Sequence, residues 1–159
     1  MTQLSDGVAL AEQVGAYRAA TEQFLDVVGS LAESDLDRQP PGPDGWTPRM
    51  VVHHMADSET NSYVRLRRLL AEPPGTVIQG YDEAQWARVL HYDRPVEGSV
   101  AVVRAVRAAS AELLDTLVEA DLGRQGIHTD SGPYSLADWL AVYIAHARDH
   151  AEQIRSALG

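Results

Sequence analysis

The sequence contains no cysteine and no lysine, and each absence removes a class of chemistry. Without cysteine the chain cannot form a disulfide, a thiolate metal site, an iron–sulfur cluster or a cysteine nucleophile. A bound metal would therefore need histidine nitrogens or carboxylate oxygens as ligands. Without lysine no side-chain amine can form a Schiff base with a carbonyl substrate. The composition fits a reducing compartment.

Long hydrophobic runs are also missing. The segment from Met1 to Asp6 has no basic region followed by an apolar core, and no later run approaches the roughly 20 apolar residues that a membrane-spanning helix needs. We therefore expect a soluble, cytoplasmic protein without a membrane partner. A chain of 159 residues is expected to form one domain over residues 1–159, which buries roughly two thirds of the surface exposed by the unfolded chain.

Basic residues are few. The chain has 23 acidic residues against 13 basic ones, which gives a formal net charge of -10. Such a surface repels the phosphate groups of nucleic acids and of anionic lipids. We therefore expect neither nucleic acid nor an anionic membrane as a partner, and a small molecule as the substrate.

The spacing of apolar residues predicts four long helices. Positions alternating by three and four residues mark one apolar face over residues 6–32, 48–71 and 96–120, and over a fourth segment that follows Ser135. Thr47 and Pro48 are a favourable N-cap and first residue for the second helix, and Ser135 with Asp138 forms a capping box for the fourth. Residues 82–90 predict a short additional helix.

Turn-forming residues separate these helices, and no segment shows the alternation typical of a β-strand. Loops rich in proline, glycine or polar residues are expected at 39–45, 73–80 and 123–133. The predicted fold is all-α, a four-helix bundle with a short extra helix in the crossover between helices two and three. This crossover is long enough for a non-sequential arrangement of the helices, but its length does not determine which arrangement occurs.

A histidine pair lies in the fourth predicted helix. His146 and His150 are four residues apart, so both side chains leave the same face of a helix about one turn apart, where one cation can contact both. Two surface histidines on an ordinary helix would have the same spacing. The metal interpretation therefore depends on a third ligand from elsewhere in the chain.

The second predicted helix offers that ligand. His54 falls on or beside the apolar face together with Ser58, Glu59 and Ser62, whereas His53 is predicted to point into solvent. These polar residues indicate either a polar cavity or buried groups that need hydrogen-bond partners. A histidine at the edge of the core, without a metal, is the alternative interpretation of His54.

Three histidines from two helices are the ligand set of a catalytic type of metal site, because three ligands leave a coordination position for water or substrate. Other chemistries lack their motifs. The chain has no Glu-x-x-His repeat of a di-iron bundle, and Ala147 stands where a zinc protease of the His-Glu-x-x-His type has its glutamate. It also has no Gly-x-Ser-x-Gly elbow and no phosphate-binding glycine loop.

An ordered set of short motifs resembles the DinB/YfiT-like family of metalloenzymes. The resemblance extends from about Trp46 to the C-terminus. Its motifs are Gly45-Trp46-Thr47-Pro48, His54-Met55-Ala56-Asp57-Ser58-Glu59, Tyr81-Asp82-Glu83 with Trp86, Gly132-Pro133-Tyr134-Ser135-Leu136, and His146-x-x-x-His150-x-x-Gln153-Ile154.

This resemblance implies a four-helix bundle, often a homodimer, with a divalent metal such as zinc or nickel in a pocket between helices. The metal ligands that it implies here are His54, His146 and His150. Characterised relatives include transferases and isomerases that use low-molecular-weight thiols. In the maleylpyruvate isomerase branch a glutamate replaces one histidine ligand, and this chain keeps all three histidines, so that activity is not expected.

The resemblance leads to the prediction of a metal-dependent thiol S-transferase, in which the metal lowers the pKa of a bound low-molecular-weight thiol that then attacks a small electrophile. Bound water in the same position would instead give a metal-dependent hydrolase. A metal-binding bundle without catalytic activity is the third possibility. The sequence assigns no catalytic residue beyond the metal ligands.

Several polar residues are candidates for a substrate site. Arg107 could bind a carboxylate of the substrate or the thiol, Ser58 and Gln153 could line the pocket, and Asp57 and Glu59 could orient a ligand histidine. Ordinary positions on a helix surface or flank are the simpler explanation for Arg107 and Gln153, and explain Asp57 equally well. His128 is predicted to be a surface histidine unless its loop folds over the site.

Overall fold

A computed structural model describes residues 3–42 and 45–159. Four positions of the predicted domain, Met1, Thr2, Pro43 and Asp44, lie outside the described residues, and the last two belong to the predicted loop at 39–45.

Five helices account for most of the described chain, as the periodicity predicted. They are α1 (Gln3–Gly29), α2 (Pro48–Ala71), α3 (Glu83–Val89), α4 (Glu97–Leu114) and α5 (Leu136–Leu158). The predicted caps are present: Thr47 accepts a hydrogen bond from the Met50 amide, and Ser135 and Asp138 form a reciprocal capping box. None of the described helices is long and apolar enough to cross a lipid bilayer.

The third long helix is shorter than predicted. Its periodicity predicted residues 96–120, but α4 ends at Leu114. The hydroxyl of Thr116 donates to the Leu113 carbonyl, which competes with the continuing helical bond, and Val118 adopts an extended conformation. Asp121 then accepts a hydrogen bond from the Val118 amide and starts a short 3-10 turn at Glu119–Gly123.

The prediction that the chain has no strands was wrong. Three short strands, β1 (Thr76–Ile78), β2 (Gln125–His128) and β3 (Gly132–Ser135), form one sheet in which β2 pairs in parallel with β1 and antiparallel with β3. Strands of three or four residues are too short for an alternating pattern to stand out in a sequence. Gly126 permits the close approach, because a Cβ there would lie 2.7 Å from the Thr76 carbonyl oxygen.

The four long helices are not arranged in chain order. α1 packs mainly against α5 and α4, and α2 packs against the same two helices, so α1 and α2 lie across the bundle from each other. The crossover between α2 and α4, which contains β1 and α3, makes this order possible. As a consequence, α2 and α5, which carry the candidate histidines, are neighbours.

The apolar core is divided into two clusters. One contains Phe24, Met55 and Ile154, and the other contains Leu66 and Trp139, each with further buried residues. Between the two clusters, α2 and α4 carry buried polar or charged side chains: Ser58, Glu59, Ser62, Arg107 and Ser110. A polar layer therefore crosses the middle of the bundle.

Arg107 and Glu59 form the centre of this polar layer. Arg107 Nη1 donates to Glu59 Oε1 at 2.7 Å, and the side chains are 0% and 1% exposed. The guanidinium also donates to the Thr21 hydroxyl at 2.6 Å and to the carbonyls of Tyr17 and Tyr143, both at 3.1 Å. Arg107 of α4 therefore contacts α1, α2 and α5 simultaneously.

We predict that Arg107→Met destabilises the protein by about 3–5 kcal/mol, because the substitution leaves the Glu59 carboxylate buried without its counter-ion. Arg18→Met is the matched control, since Arg18 forms an ion pair with Asp115 in which the side chains are 43% and 52% exposed, and exposed pairs contribute little. Urea denaturation of the two variants measures the difference. Equal losses of stability would contradict the central role of Arg107.

Candidate metal centre

The structure brings His54, His146 and His150 together between α2 and α5. One ring nitrogen from each lies within 4.8 Å of the other two. His146 Nε2 is 3.2 Å from His54 Nε2 and 3.0 Å from His150 Nε2. We call these three side chains the histidine cluster.

Helical geometry and an aromatic wall position the histidine cluster. His146 and His150 are separated by one turn of α5, and their rings meet edge to face with centroids 4.4 Å apart. The Trp46 ring, just before α2, packs edge-on against His54 at 4.9 Å and against Tyr92 at 6.3 Å. The cluster is therefore shielded from solvent on the Trp46 side, while His146 and His150 stay partly exposed.

The rings of His54 and His150 are neutral at pH 7. Burial, reinforced by the neighbouring histidines, lowers the pKa of His54 to about 3 and that of His150 to about 4. His150 Nδ1 donates to Gln153 Oε1 at 2.7 Å, so its proton is on Nδ1 and the lone pair of Nε2 faces the cluster. Neutral imidazole is the form that binds a metal ion.

Hydrogen bonds alone do not satisfy the cluster well. Because the lone pair of His150 Nε2 faces inward, His146 Nε2 can donate to it, but a protonated His146 Nε2 then has no lone pair for His54. A central cation accepts lone pairs from all three nitrogens. Two nitrogens about 2.0–2.1 Å from a tetrahedral zinc ion lie about 3.3–3.4 Å apart, which is close to the separations of 3.0 and 3.2 Å found here. The donor set fits a divalent metal.

No fourth metal-binding side chain joins the cluster within the part of the chain that the structure describes. The nearby carboxylates have other partners: Glu59 pairs with Arg107, and Asp57 accepts a hydrogen bond from the Tyr92 hydroxyl at 2.6 Å. Glu59 Oε1 lies 3.6 Å from His146 Nδ1, where it can orient that ring. A three-nitrogen site of this kind leaves a coordination position for a small molecule.

A pocket of about 190 Å³ opens beside the cluster. His146 lines it together with Ser58, Arg65, Tyr81, His128 and Asp130. The pocket depends on the small sheet, because the Gly80 amide, just after β1, donates to Thr129 Oγ1, just after β2, at 2.9 Å. The loop that carries His128 therefore folds over the site. His128 lines the pocket and is not an ordinary surface histidine.

The predicted substrate residues occupy different positions. Ser58 lines the pocket, with its Oγ 3.5 Å from His146 Nε2. Gln153 lies on the exposed face of α5 and contacts His150 rather than the pocket. Arg107 is buried in the polar layer, and the carboxylate that it binds is that of Glu59. This position does not favour the predicted contact between Arg107 and a substrate.

The prediction that His53 points into solvent was wrong. His53 is 0% exposed, because the crossover covers this side of α2 and the Tyr92 ring packs against the imidazole at 5.5 Å. His53 Nε2 donates to the Arg94 carbonyl at 2.9 Å, and Nδ1 accepts from the Ser99 hydroxyl at 2.7 Å. Both nitrogens have protein partners, so His53 attaches the crossover to α2 and is not available to a metal.

Sequence reasoning missed Arg65, the arginine that lines the pocket. A signal was present, because Ser58 follows His54 by four residues and Arg65 follows Ser58 by seven, and these spacings keep all three on one stripe of α2. Leu66, the next residue, is buried in the core, so the apolar face of the helix obscures this polar stripe in the sequence.

Known proteins resemble this chain over most of its length. A sequence profile described as the DinB superfamily matches residues 16–154. A protein of Oceanobacillus iheyensis named "Putative metal-dependent hydrolase" is 37% identical over 70% of this chain and 64% of its own length, so the match spans just under two thirds of that protein. A protein of Bacillus mycoides with the same name is 34% identical over 85% of this chain and 81% of its own length.

A solved structure shares the fold. YfiT from Bacillus subtilis, described as "a probable metal-dependent hydrolase with an unusual four-helix bundle topology", is 29% identical, with a TM-score of 0.83 over 93% of this chain and 85% of YfiT. The predicted four-helix bundle is confirmed, and its non-sequential helix order is consistent with that description.

In chelator-treated protein we predict that the rings of His54 and His150 stay neutral from pH 7 to pH 5, because their pKa values of about 3 and about 4 lie below the value of about 6.5 of an unfolded histidine. Since the unfolded chain binds these protons first, the free energy of unfolding falls as the pH decreases from about 6.5 towards the folded pKa values. NMR titration of the imidazole C–H signals measures this directly. A midpoint near 6.5 for either ring would contradict the described burial.

Proposed function

The chain belongs to the DinB superfamily, and from this premise we propose that it is a metal-dependent enzyme in which His54, His146 and His150 bind a divalent ion. The observation that carries the proposal is the convergence of three ring nitrogens within 4.8 Å, without a fourth metal-binding side chain among the described residues. An ion with a purely structural role would usually have four protein ligands.

The reaction that we propose first is hydrolysis of a small molecule. The names of the relatives from Oceanobacillus iheyensis and Bacillus mycoides support this choice. A bound zinc or nickel ion would supply a Lewis acid, which can lower the pKa of bound water to about 7 in the zinc case. Glu83 and Asp130 line the pocket beside His146 and are the carboxylates placed to accept a proton from water.

The other residues of the site would hold the reacting groups in place. Gln153 fixes the tautomer of His150, and Glu59 faces the outer nitrogen of His146. The Trp46 ring, which packs against Tyr92, covers one side of His54 and would exclude water there. The Ser58 hydroxyl lies beside His146, where it could donate a hydrogen bond to a substrate oxygen.

Thiol S-transfer is the second candidate, and a specific observation favours it. Glu59, which faces His146, pairs with Arg107, and Asp57 accepts a hydrogen bond from the Tyr92 hydroxyl, so neither is free to act as a general base. A low-molecular-weight thiol needs less help than water, because its pKa of about 8.5 is already near neutrality. The thiol cofactor, the small-molecule substrate and the homodimer stay predictions.

We predict that tag-free protein binds one divalent ion per chain and that His54→Ala, His146→Ala and His150→Ala each abolish stoichiometric binding. Loss of a residue that is hydrogen-bonded to a metal ligand weakens metal binding roughly 10–100-fold. Loss of the ligand itself should weaken it further. His91→Asn is the control, since His91 is exposed and lies outside the cluster, and asparagine tolerates its positive φ of 54°. Metal analysis after dialysis gives the stoichiometry. Full metal content in His54→Ala would contradict the three-histidine site.

We predict metal-dependent turnover that chelation removes, that added zinc or nickel restores and that His150→Ala lacks. Activated esters test hydrolysis, and 1-chloro-2,4-dinitrobenzene with cysteine as the thiol tests S-transfer. Turnover without thiol identifies the hydrolase, whereas consumption of thiol and electrophile in equal amounts identifies the transferase. A rate that is the same in the parent protein, the chelated protein and His150→Ala would contradict both reactions.

A further inference from the structure

Arg65 of α2 gives the pocket beside the histidine cluster a charged anchor. We propose that this pocket binds a small molecule through a carboxylate group, which pairs with the Arg65 guanidinium and places the rest of the molecule beside His146. The proposal rests on the proposed function for the reaction that follows, but binding of the carboxylate itself does not require the metal ion.

Arg65 has no carboxylate partner among the residues that the structure describes. Nη1 donates to the Tyr143 hydroxyl at 2.9 Å, and Nη2 donates to the Gln79 carbonyl at 2.7 Å. These bonds use two of the five N–H donors of a guanidinium, and Nε is buried without a partner. The buried arginines Arg49 and Arg107 both pair with carboxylates of the protein. Arg65 is therefore a partly buried cation that forms no ion pair with the residues that the structure describes.

The protein holds Arg65 in a fixed position next to the cluster. Tyr143, which accepts its hydrogen bond, is only 2% exposed, and the Tyr143 ring meets the His146 ring edge to face with centroids 5.9 Å apart. The same tyrosine therefore contacts both the anchor and the cluster. A cation held in advance by neutral partners loses little conformational entropy when it binds an anion, so Arg65 is pre-positioned to bind a carboxylate.

The neutral lining adds further hydrogen-bond donors. The Tyr81 hydroxyl is buried in the pocket lining close to Ser58. Ser58 lines it as well, beside His146. A polar ligand would satisfy these hydroxyl groups, whereas an apolar ligand would leave them unpaired at a cost.

The charge balance favours a monocarboxylate over a phosphate. Burial lowers the pKa of His128, with Arg65 contributing to the shift, so Arg65 is the permanent cation among the residues that line the pocket. Glu83 and Asp130 line the same pocket, and the chain carries a formal net charge of -10. A dianion would be repelled more strongly than a monoanion. The volume of about 190 Å³ is smaller than the roughly 300 Å³ at which sites for drug-sized ligands begin.

Titration with propionate and its neutral isostere propionamide tests the proposal without a variant. Heteronuclear NMR spectra of metal-free and zinc-loaded protein follow the signal of the Arg65 Nε–H group. We expect propionate to shift this signal in a saturable manner in both forms, and propionamide to bind at least about tenfold more weakly, because hydrogen bonds to charged groups contribute about 1.5–3 kcal/mol. Equal affinity for the two compounds would overturn the proposal, as would tighter binding of phosphate than of propionate.

Substitutions then assign the site. Because these variants lack the Arg65 Nε–H group, the backbone amide signals of Gly80 and Tyr81 in the pocket lining report binding. Arg65→Gln should reduce the propionate affinity at least about tenfold, and Arg65→Lys should retain part of it because lysine keeps the charge but loses the fork. Arg148→Gln, an exposed arginine of α5 outside the pocket, is the matched control and should bind propionate as the parent protein does. Unchanged propionate affinity in Arg65→Gln would overturn the proposal.

Zinc titration of the same variants separates this proposal from the metal site. Arg65→Gln should bind zinc with unchanged affinity, because Arg65 is not a ligand. If the parent protein binds no zinc but still binds propionate through Arg65, the metal proposal fails and the carboxylate site stands. If propionate binds only to zinc-loaded protein and binds equally well to Arg65→Gln, the carboxylate contacts the metal and the Arg65 site is refuted.

Discussion

The buried ion pair between Arg107 and Glu59 is the interaction on which the rest of the structure depends. It lies between two apolar clusters and is hydrogen-bonded to α1 and α5, so all four long helices meet at one guanidinium. A buried charge pair costs desolvation energy and is weak support for stability by itself. Here the Glu59 carboxylate also lies 3.6 Å from the outer nitrogen of His146. The carboxylate that joins the helices at Arg107 therefore also lies next to one ring of the candidate metal centre.

The crossover between α2 and α4 performs two tasks that a short loop could not. It carries the chain to the non-adjacent position that makes α2 and α5 neighbours, and it covers the outer side of α2 through His53 and Tyr92. Its strand β1 also pairs with β2 of the connection before α5. Two irregular segments thereby become the rim of a pocket that ends at His146. The helices hold the candidate ligands, and the connections between them provide part of the pocket lining.

The sequence was sufficient for the features that depend on local spacing. Helical periodicity predicts α2 and α5, the caps at Thr47 and Ser135 follow from local hydrogen bonding, and the spacing of His146 and His150 places them on one face. Features that depend on distant contacts could not be obtained in this way. The burial of His53 requires knowledge that the crossover folds back, and the short strands have no period long enough to detect. Arg107 was expected to bind the substrate, but Arg65 is the arginine that lines the pocket. Arg107 pairs instead with Glu59, and this contact joins residues 48 positions apart, so local spacing does not reveal it.

The central claim is that a single ion binds the inner nitrogens of three histidines from two helices and keeps a position open towards the pocket lined by Arg65. A crystal structure of zinc-loaded protein, with anomalous diffraction measured on both sides of the zinc absorption edge, tests it most directly. We predict one anomalous peak per chain at about 2.0–2.1 Å from Nε2 of His54, His146 and His150, with a non-protein ligand on the pocket side. A peak elsewhere, or a fourth protein ligand that closes the site, would contradict it.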